Sequence, residues 1–183
     1  MGLGMLAAKA ASPVGDGEAI ANRYDDEMSL EVRSSQTGRG VFATQVIAKG
    51  TMLMQFTGPL LKYEQTTPQT LALQIGPDLY FGESGGLDDC VNHSCDPNAG
   101  LVIVGTDVRL YALRDIDLGG QIAFDYSTTM DEDDFEFDCL CGSPMCRGRI
   151  RDFKHLPEAL RRKYAGLGIV PIYNLRYVNG TVG

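Results

Sequence analysis

The chain has 183 residues, a formal net charge of −8 at pH 7 and an apolar share of 44%. This composition is ordinary for one globular domain, and it excludes a wholly disordered, collagen-like or coiled-coil chain. No apolar run reaches the length of about 18 residues that a membrane-spanning helix requires, and the first residues contain no compact apolar segment typical of a secretory signal. We therefore expect an intracellular protein, cytoplasmic or nuclear, without a membrane partner.

The acidic balance bears on the kind of partner. Sixteen basic residues stand against 24 acidic ones, whereas proteins that bind nucleic acid usually carry a basic surface. We therefore predict no direct contact with nucleic acid. A Lys-rich protein or peptide fits the charge better, although the same charge also serves solubility alone, and both interpretations stay open. The sequence leaves the oligomeric state unknown.

The elements predicted in chain order are mostly short strands. Residues 1–27 are rich in Ala and Gly without a clear period, and we interpret them as a flexible lead-in. From there on, alternating apolar and polar residues between Gly or Pro turns predict a series of strands. These strands are expected at 29–33, 41–43, 51–56, 71–75, 79–81, 101–104 and 108–113. Gly38-Arg39-Gly40 is interpreted as a turn.

One helix is predicted, and it comes late in the chain. Leu156, Leu160 and Tyr164 recur at four-residue spacing, which places them on one helix face. Pro157 suits the first turn of such a helix. Many short strands followed by one late helix indicate a mainly β domain.

A polar cluster interrupts the series of strands at residues 88–98. The cluster reads Asp-Asp-Cys-Val-Asn-His-Ser-Cys-Asp-Pro-Asn, which is too polar for a strand. It is either a turn stabilised by Asn and Asp side chains or part of a functional site. A Ser-His-Asp triad is excluded because His93 and Ser94 are adjacent, so that their side chains diverge.

A second segment is rich in cysteine. Cys139, Cys141 and Cys146 follow the spacing C-x-C-x4-C around a Gly-Ser-Pro turn, which indicates a metal site rather than disulfides. Tetrahedral zinc takes four ligands, so one ligand is missing from this segment. The candidates for the fourth ligand are Cys90, Cys95 and His155. Reduced, half-buried thiols are the alternative interpretation.

Taken in order, five motifs of the chain resemble those of the SET-domain protein-lysine methyltransferases. They are Gly-Arg-Gly-Val-Phe-Ala, Phe-x-Gly, Asn-His-Ser-Cys-x-Pro-Asn, Gly-x-x-x-x-Phe-Asp-Tyr and the C-x-C-x4-C segment, which is similar to the family's post-SET zinc motif. The resemblance implies a mainly β, β-clip-like fold of short strands with a pseudoknot, one C-terminal helix and a small zinc-bound post-SET segment. The implied division is a SET domain at 28–128, a post-SET segment at 135–151 and a C-terminal helix and tail at 152–183.

The same resemblance implies the residues of the site. Its cofactor is S-adenosylmethionine, and the matching positions are Gly38, Arg39, Gly40, Asn92, His93, Tyr126 and Leu140. Tyr126 matches the catalytic tyrosine, the one closest to the transferred methyl group, while Phe56 and Phe124 match positions in the channel for the substrate lysine. The zinc ligands implied are Cys95, Cys139, Cys141 and Cys146.

The activity implied is methyl transfer to a lysine of a basic, histone-tail-like segment. Two departures from the family's pattern matter here. Asp89-Cys90 stands where Arg-Phe often precedes the Val-Asn step, and Phe56 replaces a tyrosine that ordinarily lines the channel. With fewer hydroxyls to restrain the amine, we expect a roomier channel and di- or trimethylation. A catalytically silent, zinc-stabilised interaction module is the alternative from another functional class.

Two further segments have open interpretations. Residues 130–138 are strongly acidic and form either a solvated loop or an anionic rim that steers a basic peptide. Phe135 or Phe137 within this segment is a candidate for covering the cofactor. The tail after Gly166 is apolar enough to pack, and it either walls the substrate channel or pairs with a second copy.

Overall fold

The computed structural model describes residues 30–67 and 71–178, so the predicted lead-in at 1–27 and the last five residues of the predicted tail lie outside the described residues. Within the described part, short strands and one α-helix form the protein, which confirms the predicted mainly β fold. The strands are β1 (Leu30–Ser35), β2 (Gly38–Ala43), β3 (Met52–Phe56), β4 (Leu60–Leu61), β5 (Leu73–Gly76), β6 (Leu79–Phe81), β7 (Asn92–His93), β8 (Ala99–Val104), β9 (Asp107–Ala112), β10 (Gln121–Phe124), β11 (Glu136–Asp138) and β12 (Arg149–Arg151). The helix is α1 (Glu158–Gly166). Among the described residues, no helix has the length and apolar character needed to cross a membrane.

The strands form four small sheets, with the orders β1-β2-β10-β7, β3-β9-β8, β4-β6-β5 and β11-β12. β8 and β9 pair as the antiparallel hairpin predicted around Gly105. Gly105 has φ 61°, a left-handed conformation that glycine adopts without strain. In β9 the buried residues alternate with more exposed ones, which is the pattern from which this strand was predicted.

Two local predictions are wrong, and long-range pairing explains both. Gly38-Arg39-Gly40 is not a turn but the beginning of β2, since the turn of the β1–β2 hairpin lies at residues 36–37 and Gly40 pairs with Arg33. Asn92–His93, judged too polar for a strand, is β7 and pairs in parallel with β10. Strand formation depends strongly on such pairing, so it overrides local preference.

The helix and the tail that follows it pack on the strands through a second apolar core. Its buried members are Phe153, Leu156, Tyr164, Ile169, Val170 and Val178. Ile169 lies so close to Gly100 of β8 that a Cβ added to this glycine would be 2.6 Å from the Ile169 Cγ2. The buried part of the apolar tail therefore packs on the protein's own strands.

Candidate functional site

Two cavities border strand β10. The residues of an apolar cavity include Phe56, Phe81, Val91, Phe124, Tyr126 and Phe135. A polar cavity of about 240 Å³ includes Asn92, His93, Asn98, Gln121, Ala123 and Leu140 in its lining. Because successive strand residues point to opposite faces, Phe124 borders the first cavity and Ala123 the second. Neighbouring residues of β10 thus border an apolar space and a polar one.

Tyr126 follows β10 and lines the apolar cavity. Its hydroxyl donates a hydrogen bond to the Val91 carbonyl at 2.8 Å, and its ring lies 4.8 Å from the Phe124 ring, centroid to centroid. Burial, assisted by the nearby Cys90 thiol, raises the pKa of this hydroxyl well above its usual value. Tyr126 is therefore a neutral hydrogen-bonding group, suited to orient a reactant rather than to remove a proton.

His93 connects the polar cavity to Tyr126. Its Nδ1 accepts a hydrogen bond from the Tyr126 backbone N–H at 3.2 Å. Burial lowers the pKa of His93 to about 4, although the negative charge of Asp125 opposes this shift. A neutral ring that accepts at Nδ1 carries its proton on Nε2, and Nε2 lies 3.4 Å from the Cys95 sulfur.

Two side-chain amides, from the buried Asn92 and the partly buried Asn98, hold the segments that line the polar cavity. Asn92 donates to the Arg39 carbonyl at 2.8 Å, and Asn98 donates to the Gln121 carbonyl at 2.8 Å. Between these contacts, a Cβ on Gly40 would lie 2.5 Å from the Gln121 side-chain nitrogen. A larger residue here would displace the Gln121 side chain and crowd Asn92, which gives the second glycine of the Gly-Arg-Gly motif a packing reason in this protein.

The predicted site residues fall into three places. Phe56 and Phe124 meet edge to face in the apolar cavity, with ring centroids 6.1 Å apart. Asn92, His93 and Leu140 line the polar cavity, where Leu140 is 56% exposed. Gly38, Arg39 and Gly40 lie on β2, and they approach the cavity through the hydrogen bond from Asn92 to Arg39.

Four cysteine sulfurs form a compact cluster. Those of Cys95, Cys139, Cys141 and Cys146 all lie within 4.8 Å of one another, and the first two are 3.8 Å apart. Zinc at about 2.3 Å from each ligand requires sulfur separations of about 3.8 Å. The donor set therefore fits tetrahedral zinc. Among the described residues, neither Cys90 nor His155 belongs to this cluster, so Cys95 is the fourth thiol.

The sequence analysis missed a buried ionic contact beside these sites. Asp125, between β10 and Tyr126, accepts hydrogen bonds from the Arg147 guanidinium at 2.7 and 2.8 Å and from the Tyr164 hydroxyl at 2.9 Å. An aspartate at the end of an apolar strand was the available signal, because a buried carboxylate needs partners. Nothing local in the sequence identified Arg147 or Tyr164 as those partners.

The acidic segment at 130–138 is largely engaged by the protein itself. Asp134 accepts from the Tyr63 hydroxyl at 2.7 Å and Asp131 from the Tyr177 hydroxyl at 2.8 Å, while Asp133 pairs with Lys154. These carboxylates are thus less available as an anionic rim than the sequence suggested. Phe135 and Phe137, the two candidates for covering a cofactor, both line the apolar cavity.

Comparison with protein families gives one match for this architecture. Residues 38–127 match the family model described as the SET domain. The chain is 30% identical over 131 residues to the histone-lysine N-methyltransferase trr of Drosophila melanogaster, covering 63% of this chain and 5% of that protein. It is 32% identical over 134 residues to the histone-lysine N-methyltransferase, H3 lysine-4 specific, of Saccharomyces cerevisiae, covering 63% and 12%. The chain therefore spans a small part of these relatives.

Solved structures share the fold. The crystal structure of KRYPTONITE in complex with mCHG DNA and SAH superposes with a TM-score of 0.59 at 22% identity, covering 68% of this chain and 29% of that one. The KRYPTONITE complex with mCHH DNA, an H3(1-15) peptide and SAH gives a TM-score of 0.57 at 22% identity, covering 68% and 30%. At this identity the likeness establishes the common fold.

Proposed function

Residues 38–127 match the SET-domain family, and from this premise we propose that the chain is an S-adenosylmethionine-dependent protein-lysine N-methyltransferase. The observation that carries the proposal is the pair of cavities, one polar and one apolar, that both border β10, with Tyr126 lining the apolar one. A methyl donor with charged ends suits the first cavity, and the aliphatic stem of a lysine suits the second. The relatives named histone-lysine N-methyltransferases support the same activity.

In this proposal the polar cavity holds the cofactor. Asn92 and His93 line it and Leu140 covers it, while Gly38, Arg39 and Gly40, which Asn92 contacts at the Arg39 carbonyl, would hold the cofactor through their backbone. When bound, S-adenosylmethionine supplies an electrophilic methyl group. The Cys95, Cys139, Cys141 and Cys146 thiols would hold zinc as thiolates. Since Leu140 lies between two of these thiols, they would also fix the position of Leu140 at the cavity.

The apolar cavity prepares the attacking amine. A free lysine has a pKa near 10.4, so only about one amine in a few hundred is neutral at pH 8. Phe56, Phe124 and their apolar neighbours disfavour the charged form by desolvation. The neutral Tyr126 hydroxyl orients the reactants while the nitrogen forms its bond to the methyl carbon and the sulfur–carbon bond breaks. The proton remaining on nitrogen passes to water, and no side chain is assigned as a base.

The proposal also covers the kind of substrate and the degree of methylation of the product. Phe56 and Phe124 bring no hydroxyl to the apolar cavity, so we propose a channel that admits a methylated amine and gives di- or trimethyl-lysine. The charge of −8 favours a Lys-rich, histone-tail-like segment over direct contact with nucleic acid. An intracellular site of action, cytoplasmic or nuclear, is consistent with relatives named for histone lysines.

The division of the chain is also part of the proposal. We assign a SET domain to 28–128, a post-SET segment to 135–151 and a C-terminal helix and tail to 152–183. The strand core ends with β10 at Phe124, three of the four clustered cysteines lie between β11 and β12, and α1 begins at Glu158. These positions support the division.

The test is transfer of labelled methyl groups to core histones and to a Lys-rich peptide set. Tyr126→Phe removes the hydroxyl that bonds to Val91, and we expect transfer to fall at least about tenfold because the reactants lose an orienting group. Tyr111→Phe in β9 is the control, since Tyr111 lines neither cavity. Mass spectrometry of the products is expected to find di- or trimethyl-lysine.

Several outcomes contradict the proposal. Label that is unaffected by Tyr126→Phe places the active site elsewhere, and products that stop at monomethyl-lysine contradict the assigned product. If no label is transferred and S-adenosylhomocysteine does not raise the melting temperature, the silent interaction module is the better description.

A further inference from the structure

A single buried carboxylate joins three separate parts of this protein. Asp125 follows β10 and is 1% exposed. The Arg147 guanidinium, next to Cys146 in the chain, donates two hydrogen bonds to it, and the hydroxyl of Tyr164 in α1 donates a third. The strand end that leads to Tyr126, the cysteine segment and the C-terminal helix therefore meet at one side chain.

These contacts continue into the candidate site. The Arg147 backbone N–H donates to the Cys95 sulfur at 3.3 Å, and the same sulfur lies 3.4 Å from His93 Nε2. His93 in turn accepts a hydrogen bond from the Tyr126 backbone. A continuous path of polar contacts thus connects a helix beyond the matched residues 38–127 with the cofactor cavity and with Tyr126.

Because this path is buried, the loss of one of its hydrogen bonds is costly to the protein. The Asp125 side chain is fully buried and that of Arg147 is 17% exposed; removing one partner of such a pair leaves an uncompensated charge. Tyr164 is 1% exposed and packs in the second apolar core, where a phenylalanine would pack as well. A buried hydroxyl is costly without a partner, so the bond to Asp125 is the specific role of this hydroxyl.

We propose that Arg147 and Tyr164 are positioning residues for methyl transfer, because through Asp125 they fasten the cysteine segment and α1 to the strand end that carries Tyr126. This inference rests on the proposed function. It assigns to the C-terminal helix a part in forming the cofactor cavity: when the helix is fastened, His93, Cys95 and Leu140 keep their places around that cavity.

The test compares two tyrosines with the same kind of bond. Tyr164→Phe removes a hydroxyl from Asp125, and Tyr177→Phe, the matched control, removes a hydroxyl that donates to Asp131 at 2.8 Å. We expect Tyr164→Phe to raise the dissociation constant of S-adenosylhomocysteine about three- to tenfold and the rate of zinc release to a chelator by a similar factor, since a bond to a buried carboxylate is lost. Tyr177→Phe is expected to change each quantity less than about twofold.

Two variants of Arg147, one that keeps the charge and one that removes it, extend the test. Arg147→Lys keeps the charge but loses the bidentate geometry, and Arg147→Met loses both. We expect zinc release to increase from the wild type through Arg147→Lys to Arg147→Met, with thermal melting curves confirming that each protein is folded. Equal release rates in the three proteins contradict the positioning role.

The failures of the two proposals are distinguishable. If the wild type transfers methyl groups while Tyr164→Phe and Tyr177→Phe behave alike, only the positioning role is overturned. If the wild type neither binds S-adenosylhomocysteine nor transfers methyl groups, the proposed function is overturned, and the positioning role falls with it.

Discussion

The strand core before Asp125 and the region after residue 139 are held together in different ways. The core combines ladders of backbone hydrogen bonds with one large apolar cluster. The later region has smaller apolar clusters, and its contacts with the core include the four-thiol cluster, one buried ionic contact and the packing of Ile169 on Gly100. The walls of the two cavities come mainly from the core, whereas the later region is held against these walls by a few side chains. Single substitutions should therefore disturb the attachment of the later region more than the folding of the core.

Loss of the metal is expected to give the largest difference in stability between the two regions. Cys95→Ser removes the thiol that the core contributes, and we expect zinc content to fall from about one per chain to nearly none, since structural zinc needs its full ligand set. Residues 139–148 should then become sensitive to proteases while the strand core stays folded. Elemental analysis and limited proteolysis measure both effects. Cys90→Ala is the control because its thiol lies outside the cluster, and full zinc retention by Cys95→Ser would refute the assignment.

The second largest effect is expected from loss of the ionic contact between Asp125 and Arg147. Asp125→Asn leaves the Arg147 guanidinium without its counter-charge, and we expect a loss of about 3 kcal/mol in the free energy of unfolding. Asp107→Asn is the matched control, because Asp107 pairs with Arg109 on the surface and its side chain is 44% exposed. A surface pair contributes up to about 1 kcal/mol. Urea unfolding gives both values, and similar losses would contradict the comparison.

The contact between the tail and β8 tests the packing of the second region. Gly100→Ala places a methyl group against Ile169, and we expect a loss of about 1–3 kcal/mol in the free energy of unfolding from overpacking. Gly166→Ala is the counterpart, since an added Cβ there meets nothing within 4 Å. That variant should gain up to about 1 kcal/mol because alanine favours the helix. Stabilisation by both substitutions would mean that the tail does not pack tightly on β8.

The smallest expected effect is a pH dependence in the acidic segment that faces the tail. Burial raises the pKa of Glu132 and that of Asp152 to about 7, and neighbouring acidic residues, Asp134 and Asp131 among them, add to the shift. A carboxyl with a raised pKa binds its proton more tightly in the folded protein. It therefore contributes most to stability below its unfolded pKa, and this contribution is lost as the pH rises from about 4 to about 7.

The measurement compares the melting temperature of the wild type and of Glu132→Gln between pH 4 and pH 8. The variant should lose less stability as the pH rises, because the amide has no proton to release. His93 titrates in an overlapping range, so the difference between the two proteins is the quantity to follow. Parallel curves would show that Glu132 is ionised normally.

The strand core could be predicted from the sequence better than the side-chain contacts that join the later region to it, for a physical reason. Strands such as β9 and the helix α1 follow from local periodicity, and three of the clustered thiols follow from their spacing. β7 could not be predicted locally because its polar residues form a strand only through pairing with β10, about 30 residues away. The same holds for Arg147, whose role depends on Asp125, a residue on a different element.

The resemblance supplied what spacing left open at the cysteine site. Spacing left Cys90, Cys95 and His155 open as the fourth ligand, and the structure brings Cys95 to the cluster. Neither approach anticipated Tyr164, because the helical pattern explains it fully as a packing residue. A buried tyrosine on an otherwise aliphatic helix face is the signal that would have suggested a polar partner.

The hydroxyl of Tyr173 donates hydrogen bonds to the backbone carbonyls of Thr129 and of Gln74, the latter 99 residues earlier in the chain. During synthesis at about 5–20 residues per second, the ribosome needs roughly 5–20 s to make the intervening chain. The Gln74 carbonyl therefore lacks this partner during that interval, although the core strands up to β10 are complete well before Tyr173 is made. An early-formed core that keeps one edge open for its last segment is exposed to chaperones and to wrong partners during that interval.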